Sequence, residues 1–241
     1  MSVKKGWKLI TDPNRLERFW NKLSEVWERI PETIPQVKDF YNYEEEFITS
    51  LAKGHNDPTV LDLGCGPGRI LKLLSKVGMN KLYGIDISSK MIDECRLVLP
   101  ESVVLLQHDF RERLPFTDNF FDYVFITGNT LSSSVTEIDT ILRNVHRVLK
   151  ENGTLVIGLY NSEFMTEEFV RNYYGKFPKV IALKCFDKEN HTVFVGDVYS
   201  HWMSEGEVKA LFEDLDFDVK IEKKGIGFIV CAKKSNYKDM G

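Results

Sequence analysis

A chain of 241 residues can bury one ample core, and 43% hydrophobic with 28% charged side chains is the composition of an ordinary soluble domain. Thirty-six acids against 32 bases leave a formal charge of −4, which argues against broad charge-driven binding of nucleic acid and leaves room for a local basic patch at most. No apolar run approaches a membrane span, the N-terminus MSVKKGWKL has no signal-peptide core, and the four cysteines (Cys65, Cys95, Cys185, Cys231) form no C-x-x-C pair, so the expectation is a cytoplasmic chain with reduced thiols, no metal site and no membrane partner.

A polar arm carrying Lys4, Lys5 and Trp7 precedes Asp12-Pro13, an N-cap acid followed by proline at the first helical position. Leu16, Phe19, Trp20, Leu23, Val26, Trp27 and Ile30 then recur at helical spacing, a stripe that reads first as core. Pro31 and Pro35 break the chain, and a second helix is expected over 36–53 with Val37, Phe40, Tyr41, Phe47, Ile48 and Leu51 inward. Helices ahead of the first strand fold over the sheet edge where ligands sit, so Tyr41 and Tyr43 are candidates to line a site; the alternative is two aromatics packing on the domain. A turn cluster at 54–58 delivers the chain to its first strand.

Residues 59–86, TVLDLGCGPGRILKLLSKVGMNKLYGID, read as strand, glycine turn, helix, strand, acid. Val60, Leu61 and Leu63 form a run fit for a strand buried on both faces, and Ile70, Leu71, Leu73, Leu74 and Val77 form a helical face stopped by Gly78. Asp86 closes the second strand about twenty residues beyond the turn, where an acid can accept both hydroxyls of a ribose. The glycines run G-x-G-x-G at Gly64, Gly66 and Gly68, and Arg69 stands where a dinucleotide fingerprint has its third glycine. That favours a nucleoside without phosphates, and Asp62 before the turn suits the ammonium group of a zwitterionic tail. LDLGCGPGR resembles the first motif of class I S-adenosylmethionine-dependent methyltransferases.

The resemblance extends over roughly 40–233 and implies S-adenosyl-L-methionine as cofactor, with S-adenosyl-L-homocysteine as product. Asp62, Gly64, Gly66, Gly68 and Asp86 would hold the donor, with Ile87 and Met91 as candidates to cover the adenine; Met91 reads equally well as core. Ser88 or Ser89 caps the next helix. After a third strand over 103–107, Asp109 falls where the family accepts from the adenine amino group, with the backbone amide of Phe110 on a ring nitrogen; His108 reads as structural. An LPF…FD…V layout around Asp122 leads to a fourth strand, 123–126, and to Thr127-Gly128-Asn129-Thr130, the position at which the family brings substrate and sulfonium together, with Thr127 expected among the donor-binding residues. There is no [DN]-P-P-[YF] turn here, and GNT looks more like the GNS turn of glycine N-methyltransferase-type enzymes. Thr136 is expected to cap a helix with Ile138, Ile141, Leu142, Val145, Val148 and Leu149 inward, and HRVLKENGTLVI matches the family's approach to strand five.

The expected fold is α/β: a doubly wound, mostly parallel, seven-stranded Rossmann-like sheet with a C-terminal antiparallel hairpin, N-terminal helices and a lid inserted after strand five. The single domain divides into a helical cap (1–53), the core sheet (54–160 and 193–233) and a substrate lid (161–192). The lid reads as a helix from Glu163 to Tyr174, ended at Gly175, and strands at 180–186 and 192–200, made aromatic by Phe164, Phe169, Tyr173, Tyr174 and Phe177; a satellite core is the alternative. Ser204 with Glu207 forms a capping box for a helix reaching Leu215, and strands at 218–222 and 227–232 close the sheet before a polar tail.

Transfer from a sulfonium is an in-line displacement, so the chain must chiefly align its reactants. His201, at a strand end on the ligand edge, is a candidate base, with a structural histidine as the alternative. Asn129 is a candidate to steer an amine, and Tyr43, with Tyr41 and Trp202, to surround the methyl group. The expected activity is methylation of an amine or hydroxyl of a small molecule by a monomer or homodimer. The alternatives are an RNA-base methyltransferase, for which Lys223, Lys224, Lys233, Lys234 and the Lys4/Lys5 arm are the clustered cations, and a non-catalytic donor-binding subunit. A nicotinamide dehydrogenase is disfavoured by Arg69.

Overall fold

The computed structural model describes residues 12–27, 29–52, 54, 57–177, 182–196 and 198–235. Trp7, Lys4 and Lys5, the side chain of Ile30, the centre of the 54–58 turn, the start of the strand expected at 180–186 and the tail from 236 lie outside the described residues.

Among the described residues three helices come first: α1 (Pro13–Trp27), α2 (Arg29–Glu32) and α3 (Pro35–Ala52). The core alternates β1 (Val60–Leu63), α4 (Arg69–Lys76), β2 (Leu82–Asp86), α5 (Ser89–Val98), β3 (Val104–Gln107), β4 (Phe121–Ile126), α6 (Ile138–Val148) and β5 (Leu149–Tyr160). Then come α7 (Glu167–Tyr174), β6 (Leu183–Asp187), β7 (Thr192–Val195), β8 (Val198–His201), α8 (Glu205–Ala210), β9 (Phe217–Lys224) and β10 (Gly227–Lys234). The main sheet has seven strands in the order β3-β2-β1-β4-β5-β10-β9, parallel through β5 and antiparallel at β10 and β9.

Strand side chains alternate between faces, and the two faces gather separate cores. Val60, Leu82 and Phe125 pack with α1, α3, α4 and α5 on one face. Leu61, Leu63, Val124 and Ile126 pack with α6 and α8 on the other. Burial on both sides explains why β1 is apolar at every position but Asp62, whose charge-bearing side chain is itself buried. α4 shows its logic clearly: Ile70, Leu71 and Leu74 are inward, and Gly78, at φ 92°, turns the chain out of the helix.

The insertion differs from expectation in extent. The stretch expected as one strand over 192–200 is a hairpin, because Gly196 (φ 54°) turns the chain between Val195 and its partner Val198. β6, β7 and β8 form their own antiparallel sheet, so the insertion runs to His201, past the expected end at 192, and residues 193–201 are not part of the core sheet. Its helix is shorter because two caps compete: Asn161 caps a 3₁₀ turn at Ser162–Phe164, and Thr166 then caps α7 by accepting from the Phe169 N–H. Thr136 caps nothing; it lies in a 3₁₀ turn, Val135–Glu137, that leads directly into α6. The Ser204–Glu207 capping box is present, although α8 stops at Ala210 rather than Leu215.

Candidate active site

The glycine elbow between β1 and α4 is built from left-handed backbone: Gly64 (φ 70°), Gly66 (φ 52°) and Gly68 (φ 87°). A Cβ at Gly64 would stand 2.5 Å from Thr130 Cγ2, so the β4 turn presses directly on this glycine. Asp86, at the end of β2, bends back to the elbow: its Oδ2 accepts from the Gly66 N–H at 2.9 Å and its Oδ1 from the Ser88 N–H at 2.8 Å. Ser88 caps α5 by accepting from the Met91 N–H and donates to Asn21 of α1 at 2.6 Å, which fastens α1 across the mouth of the site.

Burial pushes the Asp86 carboxyl up to about 6 against the pull of the Ser88 and Gly66 amides. It pushes Asp62 to about 7; Arg69 opposes the rise, and Asp86 and Glu44 add to it. A buried carboxylate of this kind is poised to receive a cation.

Sequence reasoning did not find the centre of the next layer. Glu44 on α3 is fully buried; its Oε2 accepts from the Arg69 guanidinium at 2.6 Å and its Oε1 from the Gly128 N–H at 3.0 Å. Arg69 also donates to Glu45 Oε1 (3.1 Å) and Thr127 Oγ1 (3.2 Å), and lies 4.2 Å from the centre of the Tyr41 ring. Burial opposes the guanidinium's charge, but Glu44, Tyr41 and Glu45 more than offset it, so Arg69 is held above its usual value. The available signal was helical spacing: Tyr41, Glu44 and Glu45 share the face of α3 that meets Arg69, the residue already singled out in the elbow.

These parts enclose one cavity of about 390 Å³. Asp62, Gly64, Gly66, Asp86, Ile87, Met91, Asp109, Phe110, Thr127 and Asn129 all line it. Gly68 does not; its missing Cβ makes room for the Cys95 thiol, 3.0 Å from where that atom would be. Asp109 is clamped by Arg111, which donates to both carboxylate oxygens. Asn129 adopts φ 63°, and its side-chain carbonyl, expected to steer an amine, already accepts from the Tyr160 N–H at 2.9 Å. The elbow, the buried acids and the apolar Ile87, Met91 and Phe110 fit an adenosyl group carrying an amino-acid tail.

Two of the expected catalytic residues are not brought to the cavity. Both ring nitrogens of His201 are engaged elsewhere: Nδ1 lies 3.0 Å from the Asn190 carbonyl and 3.1 Å from Thr192 Oγ1, and Nε2 lies 3.0 Å from Glu207 Oε1. The hairpin that β7 forms with β8 turns this histidine toward α8. Tyr43 falls on the opposite side of α3 from Tyr41; its hydroxyl donates to Glu222 and the Lys224 ammonium sits 4.7 Å above its ring, both on β9. Trp202 is fully buried against Tyr160 rather than lining the site. His108 binds the Arg113 carbonyl, the structural role expected of it.

A doubly wound sheet with a glycine elbow between two buried carboxylates defines the class of fold, and comparison with known proteins gives the family. Residues 61–157 match the family described as a methyltransferase domain. The chain is 32% identical over 186 residues to the demethylmenaquinone methyltransferase of Staphylococcus aureus (strain MRSA252), spanning 74% of this chain and 75% of that protein. It is 27% identical over 164 residues to the mitochondrial arginine-hydroxylase NDUFAF5 of Homo sapiens, 65% of this chain but 46% of that one, so it covers about half of that relative. The crystal structure of magnesium protoporphyrin IX methyltransferase (ChlM) from Synechocystis PCC 6803 with bound SAH shares the fold, with a TM-score of 0.62 at 16% identity over 93% of this chain and 100% of that one. The chain belongs to the class I S-adenosylmethionine-dependent methyltransferases, and its methyl donor is S-adenosylmethionine.

Proposed function

We propose that this enzyme methylates an amine or hydroxyl of a small molecule, by in-line displacement within the cavity between the elbow and the lid. The observation that carries the reading is the wall opposite the elbow: Tyr41, Tyr173, Tyr174, Phe177, Val198 and Tyr199 line the same enclosed space as Asp62 and Asp86. Its volume is that of a small-ligand pocket, and its walls suit an apolar or ring-bearing acceptor. The insertion acts as the lid, docked on the β4 turn through Ser200 Oγ, which donates to Ser132 Oγ at 3.0 Å.

In this reading Asp86 receives the ribose hydroxyls and Asp62 the ammonium of the donor's tail. Ile87, Met91 and Phe110 surround the adenine, whose amino group shares the Asp109 carboxylate with Arg111. Thr127 and Asn129 shape the floor where donor and acceptor meet. S-adenosylmethionine supplies an already activated methyl group, so the chain's contribution is alignment and exclusion of water, with orientation alone contributing roughly 7–11 kcal/mol at best. Among the described residues no histidine lines the cavity. An acceptor that attacks through a lone pair and sheds its proton afterwards, or a hydroxyl acidic enough to ionise unaided, fits that better than one needing a strong base.

The RNA reading loses support from its own lysines. Lys223 pairs with Glu163, Lys224 covers Tyr43, and Lys234 is buried, bonding the Leu149 carbonyl and Asn119 at 3.0 Å. Four free thiols, two of them buried, accord with a reducing cytoplasm. The test is a tritiated-methyl transfer assay over fractionated metabolites and total RNA, with quinols added because one relative is named for demethylmenaquinone. Label in a small-molecule fraction is expected; label in RNA alone replaces this reading with the other.

A further inference from the structure

Glu44 has no assigned part in the reaction, yet no other acid among the described residues is buried so completely. It reaches three separate parts of the site. Oε2 holds Arg69 at the start of α4; Oε1 holds the N–H of Gly128, the first of two left-handed residues in the turn after β4. The carboxylate passes through space that β5 leaves open at Gly158, where a Cβ would lie 1.7 Å from Oε1. A side chain at Gly158 would therefore exclude Glu44.

Stability alone does not account for such a group. A buried ion pair is often no more stabilising than an apolar pair of the same volume, because desolvation offsets the attraction. What the pair does supply is fixed geometry and charge cancellation at a defined point. Arg69 faces the cavity, as do Asp62 and Asp86, and the donor brings both a sulfonium and an ammonium. Without Glu44 only the part-exposed Glu45, 3.1 Å away, would oppose the guanidinium, and the charge left in that wall would repel it.

We propose that Glu44 is a positioning residue for methyl transfer: it neutralises Arg69, keeps the guanidinium seated on Tyr41 and Thr127, and fixes the Gly128 turn against the elbow. The wall between donor and acceptor is thereby held in one shape, without net positive charge. The N-terminal helix α3 is then part of the donor site rather than a cover laid over it.

The charge argument separates this from a merely structural role, because S-adenosylmethionine is a cation at sulfur and S-adenosylhomocysteine is not. Titration calorimetry on the full chain uses both ligands, with the thermal midpoint followed in parallel. Glu44→Gln is expected to weaken S-adenosylmethionine about tenfold, equivalent to 1.4 kcal/mol, and S-adenosylhomocysteine less than about threefold. Equal loss for the two ligands, or no loss for either, overturns the proposal. Glu44→Gln/Arg69→Gln removes both charges and covers the case in which the single variant fails to fold. It is expected to bind both ligands more weakly while keeping the wild-type preference between them. Wild-type affinity for both, or a shifted preference, overturns the proposal. If the unmodified protein bound neither ligand, the donor site itself would be at fault, which is a separate result.

Discussion

On the donor side of the cavity, Asp62, Gly64, Gly66 and Asp86 come from one unbroken stretch of strand, turn, helix and strand, and the backbone itself shapes the site. On the side proposed for the acceptor, Tyr41, Tyr173 and Tyr199 come from α3, α7 and β8, and they meet only because the tertiary fold brings them there. The donor side depends on glycines at positive φ and on carboxylates that accept backbone N–H groups. The acceptor side depends on aromatic packing between elements far apart in sequence. A donor common to a family can be held by a local device, whereas an acceptor particular to one enzyme is met by parts that vary independently.

Changes placed on either side can break that contrast, and the largest effect is expected where the two sides join. Gly158→Ala puts a methyl group where the Glu44 carboxylate now lies, and either expels that buried charge or moves β5. A loss of roughly 3–5 kcal/mol in unfolding free energy is expected, the scale of breaking a buried ion pair, and urea unfolding measures it. A loss below about 1 kcal/mol, the scale of a typical point substitution, would mean that Glu44 is not locked between the sides. Next comes Asp86→Ala, confined to the donor side, which should weaken S-adenosylmethionine by roughly 2–3 kcal/mol, the scale of lost charge-assisted hydrogen bonds. Unchanged affinity by calorimetry would remove the ribose assignment.

A smaller effect comes from pH, and its sign differs between the empty and the loaded protein. Burial pushes Asp62 up to about 7 and Asp86 up to about 6, from the ordinary aspartate value of 3.8. Both are raised, so the empty protein takes up protons that the unfolded chain does not. Its stability should climb as pH falls from about 7 toward 4, and be lost as pH rises back through those values. Donor affinity should move the other way, falling below about pH 7 as Asp62 loses the charge that receives the ammonium. Asp62→Asn should flatten much of both curves; a thermal midpoint that drops steadily between pH 7 and 5 would contradict the burial of these acids.

The same contrast explains what could be read from the sequence. G-x-G-x-G, the acids on either side and the alternation of strand and helix are local patterns, and they are enough for the sheet, the elbow and most of the residues around it that line the cavity. Residues 192–200 are harder, because a turn at Gly196 inside an apolar, β-branched run looks like a continuous strand. Glu44 is harder for a related reason: helical spacing puts it on the face of Tyr41, but three consecutive acids in YNYEEEF read as a solvated face, and the sequence around α3 does not show that Arg69 and Gly158 have prepared a buried place for it. Tyr43 and His201 drew attention by residue type and topological edge, but side-chain direction decided against both.

His201→Ala should have the smallest effect on the chemistry, and it isolates the insertion from the elbow. The imidazole links the turn after β6, through Asn190, to Thr192 on β7 and to Glu207 on α8, all in the insertion or just beyond it. Removing it leaves a buried hydroxyl and a carboxylate with fewer partners, for which a loss of roughly 1–3 kcal/mol in stability is expected. Donor affinity should be unchanged, since no bond of His201 reaches β1, β2 or the elbow. Turnover per folded molecule should likewise hold once an acceptor is in hand. Slow turnover by a variant that is folded and binds S-adenosylmethionine normally would mean that the insertion rotates during the reaction and carries the ring inward. The boundary between the acceptor wall and its supporting scaffold would then have to be redrawn at β8.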